Sequence, residues 1–138
     1  MFGTVRALPD GRVELRFERW FPHARDKVWR ALTVPSELRA WFVEILDYDN
    51  SRLTFTPGAS LSFVATGFPA GRGTVLACDP PALLEYTWDE ETLRWELAEK
   101  DDGTRLVFVN TVADTDTAAA VDQGWHTGLK RLADALDL

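Results

Sequence analysis

One cysteine and two histidines occur in 138 residues, and that scarcity removes several kinds of chemistry. A lone Cys78 cannot form an internal disulfide, which suits a reducing compartment. Cys78, His23 and His126 lie too far apart in sequence to match a zinc-ligand spacing. Asp79 beside Cys78 disfavours a thiolate, so Cys78 reads as a small strand residue. Positive charge is also in short supply, with 15 Lys and Arg against 22 Asp and Glu and a formal net charge of −7. The basic residues are scattered, as in "ELRFER" and "GLKRL", which argues against a nucleic-acid partner or an anionic membrane surface. No window approaches the ~20 apolar residues that cross a bilayer, so no membrane insertion is expected. The N-terminal residues lack the basic and apolar regions of a secretory signal. "PAGRG" is a turn and not a phosphate-binding loop. The expectation is a cytoplasmic domain spanning residues 1–138, with no metal and no cofactor.

Aromatic residues, by contrast, are plentiful: six Trp and eight Phe. Side chains of this size either fill a core or wall a pocket for an apolar ligand. Their placement follows from the periodicity. "GRVELRFERWF" alternates, with Val13, Leu15 and Phe17 on one face, and reads as a half-buried strand. "RDKVWRAL" has Val28, Trp29 and Leu32 at helical spacing. "TVPSELRAWF" opens a second short helix, with Thr33 placed to cap it, Pro35 in its first turn and Leu38, Trp41 and Phe42 as its apolar stripe.

The middle of the chain reads as antiparallel strands separated by turns. "SRLTFTPGASLSFVATG" holds two short runs around Pro57-Gly58, with Leu61, Phe63 and Ala65 on one face of the second. "TVLACD" follows the turn "FPAGRG". Leu84, Tyr86 and Trp88 share a face of "LLEYTW", and Leu93, Trp95 and Leu97 share a face of "LRWEL". "DEET" and "EKDDG" are the hairpin turns. In "TRLVFVNTV" the outward Arg105 places Leu106, Phe108 and Asn110 inward, so the Asn110 amide must meet a protein group, a water or a ligand. The last segment, from about Thr117 to Leu136, is a helix with Val121, Trp125, Leu129, Leu132 and Leu136 in one stripe. Two glycines, Gly124 and Gly128, interrupt it at a cost of roughly 0.5–1 kcal/mol each. Either backbone or bulky side chains pass close to them, or they leave space beside Trp125.

This order of elements, with "RFERWFPHARDKVWRALTVPSELRAWF", "GTVLACDPPALLEYTW", "LRWEL", "DGTRLVF" and "GWHTGLKRLADAL" in sequence, resembles the START/Bet v 1-like helix-grip superfamily. Within it the chain is similar to the Hsp90-ATPase-activator-homologue branch of the SRPBCC proteins. Val34 departs from the acidic residue common in that branch before the proline. The resemblance implies an α+β helix-grip fold: about seven antiparallel strands curve around the long C-terminal helix, two short helices follow the first strand, and a cavity separates helix from sheet.

Fold alone does not assign function, and three readings follow. The first is a binding domain for an apolar or amphipathic small molecule, lipid-like or aromatic. Its walls would be Trp41, Phe42, Phe63, Tyr86, Trp88, Trp95, Phe108, Trp125 and Leu129, with Asn110 and His126 as polar handles. The second is a co-chaperone-like interaction domain, by analogy with the branch name. The third is a polyketide cyclase- or dehydratase-like enzyme, for which only His126, Asn110, Glu85 and Tyr86 are on offer. Asp122, His126 and Lys130 fall on one helix face, where Asp122 would orient His126 or pair with it at the surface. No residue is assigned as catalytic. A homodimer is compatible with the exposed strand edges.

Overall fold

The computed structural model describes residues 1–138. It contains the strands β1 (Thr4–Ala7) and β2 (Val13–Phe21), then the helices α1 (Arg25–Thr33) and α2 (Pro35–Leu38). Strands β3 (Ser60–Phe63), β4 (Gly71–Asp79), β5 (Leu83–Trp88), β6 (Glu91–Lys100) and β7 (Gly103–Val112) follow, and α3 (Thr115–Leu136) closes the chain. All seven strands form one antiparallel sheet in the order β1-β2-β7-β6-β5-β4-β3. This is the expected α+β helix-grip arrangement.

The strand alternation dictates which face packs. Val13, Leu15 and Phe17 of β2 are buried, as are Leu93, Trp95 and Leu97 of β6 and Leu106, Phe108 and Asn110 of β7. The last three confirm the face chosen from the outward Arg105. Opposite this face lie Val28 and Leu32 of α1, then Leu38, Trp41 and Phe42, and Leu129, Leu132 and Leu136 of α3. Burial of these side chains supplies the main stabilising term, on the order of 1.5–3 kcal/mol for each large one. Sharp two-residue connections hold the hairpins in register. Asp101 and Asp102 both take positive φ (51° and 61°), and Asp89 has φ 53°, a region where a short polar side chain is tolerated.

Five local details differ from the expectations. β1 precedes the β2 strand; its four residues are all exposed, so no apolar alternation marks it. "SRLTF" is not a strand but contributes an isolated bridge between Arg52 and Ser62. α2 covers only Pro35–Leu38, yet Trp41 and Phe42 still donate their backbone N–H groups to Leu38 O, at 3.1 and 2.8 Å, which keeps the apolar stripe facing inward. Thr33 does not cap α2; its hydroxyl donates to Trp29 O at 2.8 Å, and the N-cap position is Val34 with no side-chain bond. At α3 the cap is Asp114, which accepts from Thr117 N at 2.8 Å and from the Thr117 hydroxyl at 2.7 Å, so the helix starts two residues before Thr117.

Candidate cleft between helix and sheet

The β5–β6 hairpin and α3 are the elements that frame an opening between sheet and helix. The tight Asp89-Glu90 connection sets Trp88 and Glu91 opposite one another as a register pair. Facing them, α3 presents Val121, Gly124, Trp125 and Gly128, and the segment after α2 presents Trp41, Phe42 and Val43. The space between is a half-open cleft of about 710 Å³, inside the roughly 300–1,000 Å³ that small-molecule sites occupy.

The two glycines of α3 take part in this cleft. A Cβ at Gly124 would meet no atom within 4 Å, and one at Gly128 would make only an ordinary contact, 3.7 Å from Trp41 O. Backbone does not crowd Gly124. It leaves space beside Trp125, and that open volume is part of the cleft.

Of the expected wall residues, Trp41, Phe42, Trp88 and Trp125 line the cleft. Phe42 sits between two of the others, its ring centroid 6.2 Å from Trp88 and 6.0 Å from Trp125 and tilted 43° to each. Phe63, Tyr86, Trp95, Phe108 and Leu129 are buried and do not line it. They support the wall from behind: Phe63 stacks on Trp88 at 3.9 Å, and Phe108 packs edge-on against Trp125 at 4.6 Å. Trp95 stacks on Phe108 at 3.9 Å and donates its indole N–H to the Tyr86 hydroxyl at 3.3 Å. Burial pushes the Tyr86 phenol pKa up.

Asn110 is fully buried and all of its amide is used by the protein. Its Nδ2 donates to Glu91 Oε1 at 3.1 Å and to Thr92 O at 3.2 Å, and its Oδ1 accepts the Trp125 indole N–H at 3.0 Å. Of the three partners left open for it, the structure supplies protein groups. Asn110 therefore fixes Trp125 from one side and Glu91 from the other.

His126 is placed away from the cleft. Its ring stacks on Phe2 at 3.6 Å, and its Nδ1 accepts from Arg19 Nη2 at 3.2 Å. Asp122 neither lies at the surface nor hydrogen-bonds His126. It is 5% exposed and accepts the backbone N–H groups of Phe2 and Gly3, at 2.8 and 2.7 Å. Burial pushes its pKa up, but these two donors, together with the N-terminal ammonium and His126, outweigh burial and hold the carboxyl below the usual aspartate range. The helix face read as a possible acid–base pair thus anchors the N-terminal residues. His23 donates from Nε2 to Asp137 Oδ1 at 2.8 Å, and Glu85 pairs with Arg94 at 3.5 Å. Cys78 lies in β4, and burial pushes its thiol pKa up.

The periodicity did not signal the polar side of the cleft. Glu44, Asp89, Glu90, Glu91 and Arg131 all line it. Three of these belong to the stretch "DEET", whose composition reads only as a turn. Arg131 is committed to Glu44, at 3.0 Å. No cluster of His, Cys, Asp and Glu is arranged to hold a metal ion, and no helix is long and apolar enough to cross a membrane.

Residues 22–137 match the family described as Activator of Hsp90 ATPase homolog 1-like protein. Among solved structures, protein MLL2253 of Mesorhizobium loti is 23% identical with a TM-score of 0.76, over 90% of this chain and 96% of that one. CalU16 of Micromonospora echinospora is 24% identical with a TM-score of 0.72, over 96% and 82% of the two chains. EF2215 of Enterococcus faecalis, described as a conserved protein of unknown function, is 22% identical with a TM-score of 0.79, over 97% and 76%. These likenesses extend the fold across nearly the whole chain. No curated protein matches the sequence.

Proposed function

Because the chain belongs to the Activator of Hsp90 ATPase homolog 1-like family, a branch of the SRPBCC proteins whose fold is a ligand-binding one, we propose that it binds a small molecule with an apolar body. The ligand lies in the cleft between the β5–β6 hairpin and α3. The observation that carries this reading is the open volume at Gly124, ringed by Trp88, Trp125, Phe42 and Trp41. A helix that gives up roughly 0.5–1 kcal/mol at an interior glycine, yet packs nothing into the space released, is shaped to leave that space for another molecule. The residues packed behind the wall support the reading too. Phe63, Phe108 and Asn110 hold the wall rings in place through protein contacts, and such pre-organisation lowers the entropy cost of binding.

Native mass spectrometry of freshly purified protein, compared with its denatured mass, tests the proposal. The expected result is a reproducible extra mass that is lost on denaturation and changes in identity or occupancy in Trp125→Ala. A ligand that binds Trp125→Ala and the parent alike would remove Trp125 from the site. The same spectrum reads monomer against dimer.

A further inference from the structure

The aromatic wall carries one polar group held in a fixed position. Glu91, the first residue of β6, has Oε1 tied to the buried Asn110 at 3.1 Å, and its Oε2 has no hydrogen-bond or ion-pair partner in the protein. The other charges around the cleft do not neutralise it. Arg131 is the one basic residue among the lining residues, and it faces Glu44. Asp89 accepts only from a backbone group, Arg72 N at 3.0 Å, and Glu90 has no ion pair. Three carboxyl side chains on consecutive residues, Asp89, Glu90 and Glu91, therefore stand without a cationic partner beside the rings of Trp88, Phe42 and Trp125.

Aromatic faces attract cations through the ring quadrupole, and unpaired carboxylates beside a partly desolvated wall do the same by direct Coulomb attraction. An anionic head group would meet repulsion from both. We infer that the ligand of this cleft is an amphipathic organic cation, an apolar body carrying an ammonium group. Its body lies on Trp41, Phe42, Trp88 and Trp125, and its charge sits at Glu91. The inference rests on the reading of the cleft as a ligand site and adds the charge of what enters it. It sets fatty acids and other anionic lipids aside.

Three probes of one chain length separate the possibilities: octyltrimethylammonium, octyl glucoside and octyl sulfate, each titrated below its micelle concentration and followed by intrinsic tryptophan fluorescence. The full chain is expected to bind the cation about tenfold or more tighter than the anion, with the neutral probe between them. That preference is expected to shrink as salt is raised. Glu91→Gln keeps an oxygen for Asn110 and removes the charge. It is expected to lower affinity for the cation by about tenfold while leaving the neutral probe within about twofold. Glu99→Gln, at the exposed far end of β6, removes the same net charge and is expected to change none of the three.

Equal binding of the three probes would overturn the cation assignment and leave the cleft as a ligand site. A cation preference that is insensitive to salt and unchanged in Glu91→Gln would overturn the role of Glu91. Should none of the three bind, the site itself would be wrong, and the cation assignment with it.

Discussion

The indole N–H of Trp125 is held at 3.0 Å by Oδ1 of Asn110, a residue with no solvent exposure at all. The same amide reaches Glu91 and the Thr92 carbonyl. One side chain near the end of β7 thus couples a ring of α3 to the start of β6. An interior amide is costly unless every donor and acceptor is met, and here each is. Asn110→Leu is expected to cost about 1–3 kcal/mol, because the Trp125 N–H and Thr92 O lose their partner. Urea denaturation measures the loss, and near-UV circular dichroism reports the freed indole. An unchanged midpoint would mean that the amide network adds nothing to the fold.

Gly124 and Gly73 make opposite predictions for the same substitution. Nothing lies within 4 Å of a Cβ at Gly124, so Gly124→Ala is expected to stabilise the chain by about 0.5–1 kcal/mol through helix propensity alone. A Cβ at Gly73 would overlap the Thr87 carbonyl of the neighbouring strand and touch the Phe63 ring. Gly73→Ala is therefore expected to destabilise by about 1–3 kcal/mol, read from thermal midpoints. Equal effects at the two positions would contradict this account of which glycine makes room for backbone and which leaves a space.

Asp122 links pH to the N-terminal residues. Its pKa in the folded protein lies below the aspartate value, because burial, which raises it, is outweighed by the Phe2 and Gly3 N–H groups together with the N-terminal charge and His126. Its contribution is therefore complete above the unfolded pKa of about 4 and is lost as pH falls through the lower folded value. The Phe2 and Gly3 amide resonances are expected to stay constant from pH 7 to about pH 5 and to shift together in more acid solution. In Asp122→Asn the shift disappears and the chain is less stable by about 1–3 kcal/mol. A titration of these amides near neutrality would assign the effect to another group.

How far the sequence could be read depended on whether one face of an element is buried. β2, β5 and β6 alternate because one side meets the core, and Leu132 and Leu136 of α3 fall on the expected stripe for the same reason. β1 is exposed along its whole length, so its only signal is its pairing with β2, which has no local trace. The role of Asp122 has no local trace either, because its partners, Phe2 and Gly3, are about 120 residues away in sequence. The wall of the cleft was legible in part. Periodicity identifies inward-facing residues, but Trp88 and Tyr86 share that property while only Trp88 reaches the opening. The acidic side was hidden in a hairpin turn, where Asp and Glu are ordinary solvated residues in most proteins.

The central claim is that the space at Gly124 is a binding site, and filling it tests the claim most directly. Gly124→Leu would project a side chain into the cleft without displacing any neighbour within 4 Å of its Cβ. The measurement is a titration with the uncharged probe N-phenyl-1-naphthylamine, alongside thermal unfolding. The account predicts saturable binding to the parent chain and at least roughly tenfold weaker binding to Gly124→Leu, with the fold retained. Equal affinity for the two proteins would contradict it.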